Sequence, residues 1–189
     1  MKVLFNIKKL QLQKITSISS SGVPTYDSTV MSVPGTVSLT MEKESTNDPF
    51  YADGEAYYTP TGSETSTGTL ENALIPDDVL KAIFAYMEDT NGNLVATDGQ
   101  ASEFGMQFAC DSDDGEVYFT FFRVSSTKPG LNVTTNAPGA TINPQSLNLT
   151  ASPVSLSNGM KIVHSYATKT ASNYSNYFEG IVLPTIASV

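Results

Sequence analysis

Alternation of apolar and polar residues along several segments is the feature that most constrains how this chain folds. The segment TVSLTME (36–42) places three apolar residues on one face of a strand, FGMQFAC (104–110) places four, and LFNIKKLQLQKIT (4–16) alternates over most of its length. A repeat of two residues is that of a half-buried β-strand. With 189 residues, of which only 15% are charged, the sequence predicts a mainly β protein in a single domain spanning 1–189.

One helix is predicted, at about 76–87. Pro76 suits the first helical position, and the acidic Asp77 and Asp78 favour the positive end of the helix dipole. The apolar residues that follow have the spacing i, i+3, i+4 and i+7, which gives one stripe. We expect this stripe to pack on a sheet through Leu80, Ile83, Phe84 and Met87.

Two further segments have marked patterns. The residues DSDDG (111–115) have the composition of a hairpin turn. The strand that follows, EVYFTFFRVS (116–125), is apolar on both faces. Such a strand lies in the centre of the subunit or contacts a partner, and the sequence leaves both alternatives open.

A long protruding loop is predicted at about 44–68. It is rich in turn residues and also carries Phe50, Tyr51, Tyr57 and Tyr58. Long polar segments inside compact domains are usually functional or disordered, but this one is too aromatic for a solvated linker. We expect it to order against something else, such as another subunit.

The negative charge is concentrated in the middle of the chain. The net charge is −9, yet residues 41–120 contain 17 acidic residues and two lysines, a balance of −15. Nucleic-acid readers depend on clusters of Lys and Arg, and Arg123 is the one arginine of the chain. We therefore expect no specific binding to nucleic acid.

The sequence also lacks the patterns of catalysis and of metal binding. His164 is the one histidine and Cys110 the one cysteine, so no nucleophile with a neighbouring base is apparent. The acidic segments at 89–93 and 111–115 lack the glycine and the acid that a calcium loop requires. We expect no enzyme, cofactor or metal. The lysines at 8 and 9 interrupt the first apolar run, so no export signal or membrane span is expected.

Five segments, in order, resemble the major tail proteins of long-tailed, non-contractile bacteriophages that infect Gram-positive bacteria. They span nearly the whole chain and are PGTVSLTMEKE (34–44), DPFYADG (48–54), ENALIPDDVLK (71–81), INPQSLNLTASP (142–153) and YFEGIVLP (177–184). The combination of a DPFYADG-like loop, a LIPDD-like helix start and a TASP-like late strand is the most specific part of the resemblance.

The resemblance implies an antiparallel β-sandwich or small barrel flanked by one α-helix, of tail-tube type. It implies a structural virion protein, made in the cytoplasm of the host bacterium, whose hexameric rings stack into the tail tube. The expected partners are further copies of the chain, the tape-measure protein, the tail terminator and the tail-tip proteins, and DNA would pass through without specific binding. Inter-ring contacts would fall on Asp48, Pro49, Phe50, Tyr51, Ala52 and Asp53.

Part of the acid excess is expected to line the bore of such a tube, where it would repel DNA. The first candidates are Asp111, Asp113 and Asp114, although an exposed hairpin tip on the outer wall is an equally good interpretation of these three residues. Two rival functions stay open. One is a secreted β-sandwich module that binds carbohydrate or another ligand, and the other is the tube of a tail-like bacteriocin or prophage remnant.

Overall fold

The computed structural model describes residues 3–44, 50–52, 55–58, 64–131, 133 and 143–186. The described part of the chain is mainly β, with antiparallel sheets and one α-helix, as the sequence predicts. The elements are β1 (Leu4–Ile18), β2 (Pro24–Ser32), β3 (Thr36–Glu44), β4 (Phe50–Ala52), β5 (Glu55–Tyr58), β6 (Thr65–Asn72), α1 (Asp77–Ala82), β7 (Tyr86–Glu88), β8 (Leu94–Ala96), β9 (Phe104–Ser112), β10 (Gly115–Ser126), β11 (Gln145–Ala151), β12 (Val154–Ser155), β13 (Lys161–Ile162), β14 (His164–Ala167) and a 3-10 helix (Tyr174–Glu179).

The main sheet has eight strands. Seven follow the order β2-β1-β9-β10-β11-β6-β3, and β14 pairs with β10 beside this path. The long strand β10 joins the two halves of the sheet, since its first part pairs with β14 and its last residues pair with β11. The sheet curves enough to bring β1 into contact with β3, although no ladder joins these two strands.

The hydrophobic core lies inside this curved sheet, and α1 closes one side of it. Val79, Ile83 and Phe84 are fully buried there, and Leu80 packs at the margin of the core. The helix is shorter than predicted: it ends at Ala82, and Ala85, three residues later, adopts a left-handed backbone with φ of 55° that leads the chain into β7. Met87 therefore lies in β7, where 65% of its surface is exposed, and its predicted role in helix packing is wrong.

The outer face of β9 and β10 is covered by the C-terminal part of the same chain. Tyr118 stacks on Tyr174 with ring centroids 4.2 Å apart, and Phe122 packs with Ile181. The other face of β10 contributes Phe121 to the main core. The strand is apolar on both faces because both faces are buried within the subunit.

Glutamine side chains fix this C-terminal segment to the sheet. Gln107 donates to the carbonyl oxygen of Tyr177 at 3.0 Å, Gln11 donates to that of Phe178 at 3.0 Å, and Gln13 accepts from the amide of Ile181 at 2.8 Å. Such bonds satisfy polar groups that would otherwise be buried without a partner. They hold the segment in place where no strand pairing does.

Candidate functional site

His164 and Cys110 are the two side chains that could act as a base or a nucleophile, and each lies in a strand of the main sheet. His164 is exposed in β14, and its ring lies 5.4 Å from that of Phe121. Cys110 is half-buried in β9, and burial together with Asp111 raises the pKa of its thiol. Among the described residues no three His, Cys, Asp or Glu side chains come together as a possible metal site.

No helix in the described ranges is suited to cross a membrane. Both α1 and the 3-10 helix have six residues, whereas a bilayer requires about 20 apolar residues in helical conformation.

One broad surface has an unusual composition: the outward face of β3, β6 and β11. The registers place its residues in cross-strand rows, for example Thr40–Thr69–Asn148, while the residues between them, such as Leu39, Leu70 and Leu147, point into the core. We call this surface the polar sheet face. Its residues are Ser38, Thr40, Glu42, Glu44, Thr67, Thr69, Glu71, Ser146, Asn148 and Thr150.

The polar sheet face has three glutamates, and no Lys, Arg or His among those ten residues. Hydroxyl groups orient two of the carboxylates: Ser38 donates to Glu71 at 2.8 Å, and Thr67 donates to Glu44 at 2.7 Å. Lys43, on the same strand, belongs to the opposite side of the sheet and pairs with Glu64 at 2.6 Å. The face therefore presents uncompensated negative charge on a hydroxyl-rich surface.

Several strand edges of the main sheet are open among the described residues, including those of the two strands that end the strand order. β3 pairs with β6 alone and β2 with β1 alone, so each carries a row of backbone groups without a strand partner. Open edges of this kind are the usual places where one chain pairs with another. The polar sheet face ends at one of them, since β3 is both part of the face and an edge.

A cleft of about 920 Å³, lined mainly by apolar side chains but also by Lys43, Ser66 and His164, lies along the seam between β1 and β3. Its floor and walls come from several strands of the sheet and include Ile7, Leu39, Met41, Phe108, Phe119 and Phe121. Leu4 and Phe5 stand at its margin with 45% and 50% of their surfaces exposed. The cleft is the point where the curved sheet does not close on itself.

The three predicted lumen acids do not form one group. Asp113 and Asp114 form the turn between β9 and β10, as predicted, but Asp111 belongs to β9 and not to the turn. Lys8 lies 2.6 Å from Asp111 and 2.7 Å from Glu116, and Lys9 lies 2.7 Å from Glu116. These four side chains, the charge cluster, balance to zero.

The pKa values reflect this pairing. Lys8 first, and then Lys9, hold the pKa of Glu116 at about 2, and Lys8 lowers the pKa of Asp111. The carboxylates in turn raise the pKa of Lys8. Asp111 therefore adds no net charge to a bore, and a lumen role of Asp113 and Asp114 stays a prediction.

The predicted inter-ring loop is only partly described. Asp48, Pro49 and Asp53 lie outside the described residues. Phe50, Tyr51 and Ala52 form β4, which pairs with β5 in a separate two-stranded sheet, and their side chains are not described. Their contacts with a neighbouring ring stay a prediction.

Sequence reasoning missed the polar sheet face and the charge cluster. The signal for the face was present: the residues that alternate with Val37, Leu39 and Met41 are hydroxyl-bearing or acidic, and every second residue of TSTGTLEN (65–72) is a threonine or a glutamate. The charge cluster had no signal, because consecutive lysines in a regular strand point to opposite faces.

Comparison with known proteins adds no relative. No protein-family model matches the chain, and no curated protein matches it.

Proposed function

We propose that the chain is the structural protein of a phage-type tail tube, which assembles into six-membered rings that stack around a central bore. The observation that carries the proposal is the polar sheet face, a broad three-stranded surface with three glutamates, seven hydroxyl or amide side chains and no cation. The resemblance of five sequence segments to tail tube proteins supplies the architecture. The chain performs no reaction in this account.

The polar sheet face suits the wall of a DNA conduit. A duplex binds proteins by exchanging condensed counterions for Lys and Arg, so a surface without cations provides no such contact. Carboxylates repel phosphates over a screening length of about 8 Å at physiological salt. The Ser, Thr and Asn side chains keep the wall hydrated without attracting the backbone. DNA would pass such a wall without being held.

The open edges suit closure into a ring. Pairing β3 of one copy with an edge of the next would satisfy the unpaired backbone groups and extend the sheet around the bore. The residues from Asp48 to Asp53 would then contact the next ring. The tape-measure protein would occupy the bore during assembly, and tail-terminator and tail-tip proteins would bind the two ends of the tube.

Sedimentation velocity over a range of concentrations, combined with negative-stain electron microscopy, tests the proposal. We expect hexamers or longer tubes with a central hole at high concentration or after seeding with tail tips. A monomer that persists under both conditions would rule the proposal out and favour a β-sandwich ligand-binding module, for which glycan arrays are the next assay.

Charge variants give a second readout. Glu42→Gln combined with Glu71→Gln removes two carboxylates from the polar sheet face, and Asp77→Asn combined with Asp78→Asn removes two at the exposed start of α1. If the polar sheet face lines the bore, the double glutamate variant makes the electrostatic potential of the bore less negative, and the double aspartate variant leaves that potential unchanged. A reversed result would place the face on the outer wall.

A further inference from the structure

The cleft between β1 and β3 has a polar end and an apolar body. Lys43 is opposite Ser66 in the register of β3 and β6, close to the point where both strands end, and both residues line the cleft. Side chains opposite each other in an antiparallel pair have Cβ atoms about 4.5–5.5 Å apart. The lining next to this pair is largely apolar and includes Ile7, Leu39, Met41, Phe108, Phe119 and Phe121.

The hydroxyl of Ser66 is a donor without a protein partner. Ser66 is only 8% exposed, and the surface that it keeps lines the cleft. Its side chain makes no hydrogen bond to another described residue. Because buried polar groups are nearly always hydrogen-bonded, this hydroxyl is suited to donate to a molecule in the cleft.

The polar end is also positively charged. None of the described residues that line the cleft is acidic, although the chain has 19 acidic residues against 10 basic ones. The Nζ of Lys43 lies 2.6 Å from Glu64, but the two side chains are 60% and 58% exposed, and ion pairs this exposed contribute little. Lys43 can therefore exchange Glu64 for an anionic group in the cleft.

The apolar body is formed before any ligand enters. The rings of Phe119 and Phe121 lie 5.3 and 6.3 Å from that of Phe108, with interplanar angles of 12° and 15°. Phe108 and Phe121 belong to the hydrophobic core, which fixes their positions. The volume of about 920 Å³ is within the range of about 300–1,000 Å³ of small-molecule sites, which include the mouths of curved sheets.

The irregular backbone of β1 favours a small molecule over a peptide strand. Bulges interrupt the pairing of β1 with β9 between Phe5 and Ile7 and between Lys8 and Gln11. Asn6 and Lys9 adopt left-handed backbone there, with φ of 51° and 54°. An edge of this kind does not present the regular row of backbone groups that an added strand needs. A small amphiphile needs no such row.

We propose that the cleft binds an amphiphile of fatty-acid type, with one carboxylate and an aliphatic body. The two carboxylate oxygens accept hydrogen bonds from the ammonium of Lys43 and the hydroxyl of Ser66. The aliphatic body lies along the phenylalanine rings, where it is removed from water. The site is formed by one subunit, so it does not rest on the proposed function.

Isothermal titration calorimetry with decanoate, below its micelle concentration, tests the ligand class. We expect saturable binding of one decanoate per chain. Decanol has the same aliphatic body without the charge and should bind at least about tenfold more weakly, because hydrogen bonds to charged groups are lost. Absence of saturable binding, or equal affinities for decanoate and decanol, would overturn the proposal.

Lys43→Met tests the polar end, since it removes the ammonium and keeps an apolar stem. We expect decanoate to bind at least about tenfold more weakly and decanol to bind as in the wild type. Ser66→Ala should weaken decanoate binding as well. Lys161→Met, at an exposed lysine of β13, is the matched control and should bind decanoate normally. Equal affinities in Lys43→Met and Lys161→Met would refute the role of Lys43.

Cys110 reports where the ligand binds. It is the one thiol of the chain and lines the cleft. Saturating decanoate should therefore slow its labelling by a maleimide several-fold in the wild type. An unchanged labelling rate at saturation would place the ligand elsewhere and overturn the site.

Sedimentation of the same samples separates this site from the tube. Decanoate binding by a chain that stays monomeric after seeding with tail tips supports the site and contradicts the tube. Tubes whose subunits do not bind decanoate support the tube and contradict the site.

Discussion

Gly68→Ala tests how closely β3 and β6 approach each other. A Cβ atom at Gly68 would lie 1.9 Å from the carbonyl oxygen of Thr40, a backbone atom, and 2.8 Å from the sulfur of Met41. Gly68 does not have the positive φ that other glycines of the chain have, so the effect of the substitution is steric. Real Cβ atoms do not approach within 3.0 Å of such atoms, and β3 must therefore move outward by about 1 Å.

The cost follows from the contacts that the movement breaks. Overpacking of this kind typically costs about 1–3 kcal/mol, and a domain of this length loses about 2–4 °C in Tm for each kcal/mol. We expect a Tm lower by about 2–12 °C in calorimetry, with faster hydrogen exchange at Leu39–Glu42. The matched control is Thr69→Ala, one residue along on the outward face, which should change stability by less than about 0.5 kcal/mol.

If Gly68→Ala and Thr69→Ala have the same Tm and the same exchange rates, β3 does not lie against β6 as described. The registers that define the polar sheet face would then be wrong, and the proposed bore would lose its basis.

Three further predictions concern the core, the charge cluster and the bore. Phe84→Ala should lower the free energy of unfolding by about 3–5 kcal/mol in urea titrations. Met87→Ala should change it by less than about 0.5 kcal/mol. Equal losses in the two variants would show that Met87 is buried, as in the longer helix that the sequence predicts. Lys8 first, and then Lys9, lowers the pKa of Glu116 from 4.5 to about 2 in the folded chain. The ionised carboxylate therefore stabilises the fold fully at pH values above 4.5, the pKa in the unfolded chain, and this stabilisation is lost as pH falls toward about 2. The difference in Tm between wild type and Glu116→Gln should accordingly narrow below about pH 4.5, and a difference independent of pH would contradict the pairing. Thr69→Lys should make assembled tubes retain DNA, and the logarithm of the binding constant should fall with the logarithm of the salt concentration with a slope of about 0.9 per phosphate contact. Ser157→Lys, on an exposed loop, is the control and should not retain DNA. If neither variant retains DNA, the polar sheet face does not line the bore.

The sequence predicted the local structure where one pattern dominates. Alternation identified β1, β3 and β9, and the acidic turn after Ser112 was predicted correctly, because side-chain spacing and turn composition are local properties. The end of α1 was predicted too late. The apolar spacing continues to Met87, but the chain turns at Ala85 to form the β7–β8 hairpin, and the turn at 89–93 belongs to that hairpin.

The candidate surfaces depended on pairings between distant segments. The polar sheet face requires β3, β6 and β11 to be adjacent, and the residues of β3 and β11 are separated by about a hundred positions. The charge cluster requires a bulge at Lys9, where the local sequence has no glycine to announce a left-handed residue. Neither arrangement follows from local patterns, so both required the folded chain.

Cryo-electron microscopy of assembled tubes would show which surface of the subunit lines the bore. We expect six subunits in each ring and a bore lined by the polar sheet face, with Thr40, Thr69 and Asn148 facing the central hole. A reconstruction that places this face on the outer wall, or a protein that stays monomeric after seeding with tail tips, would contradict this expectation.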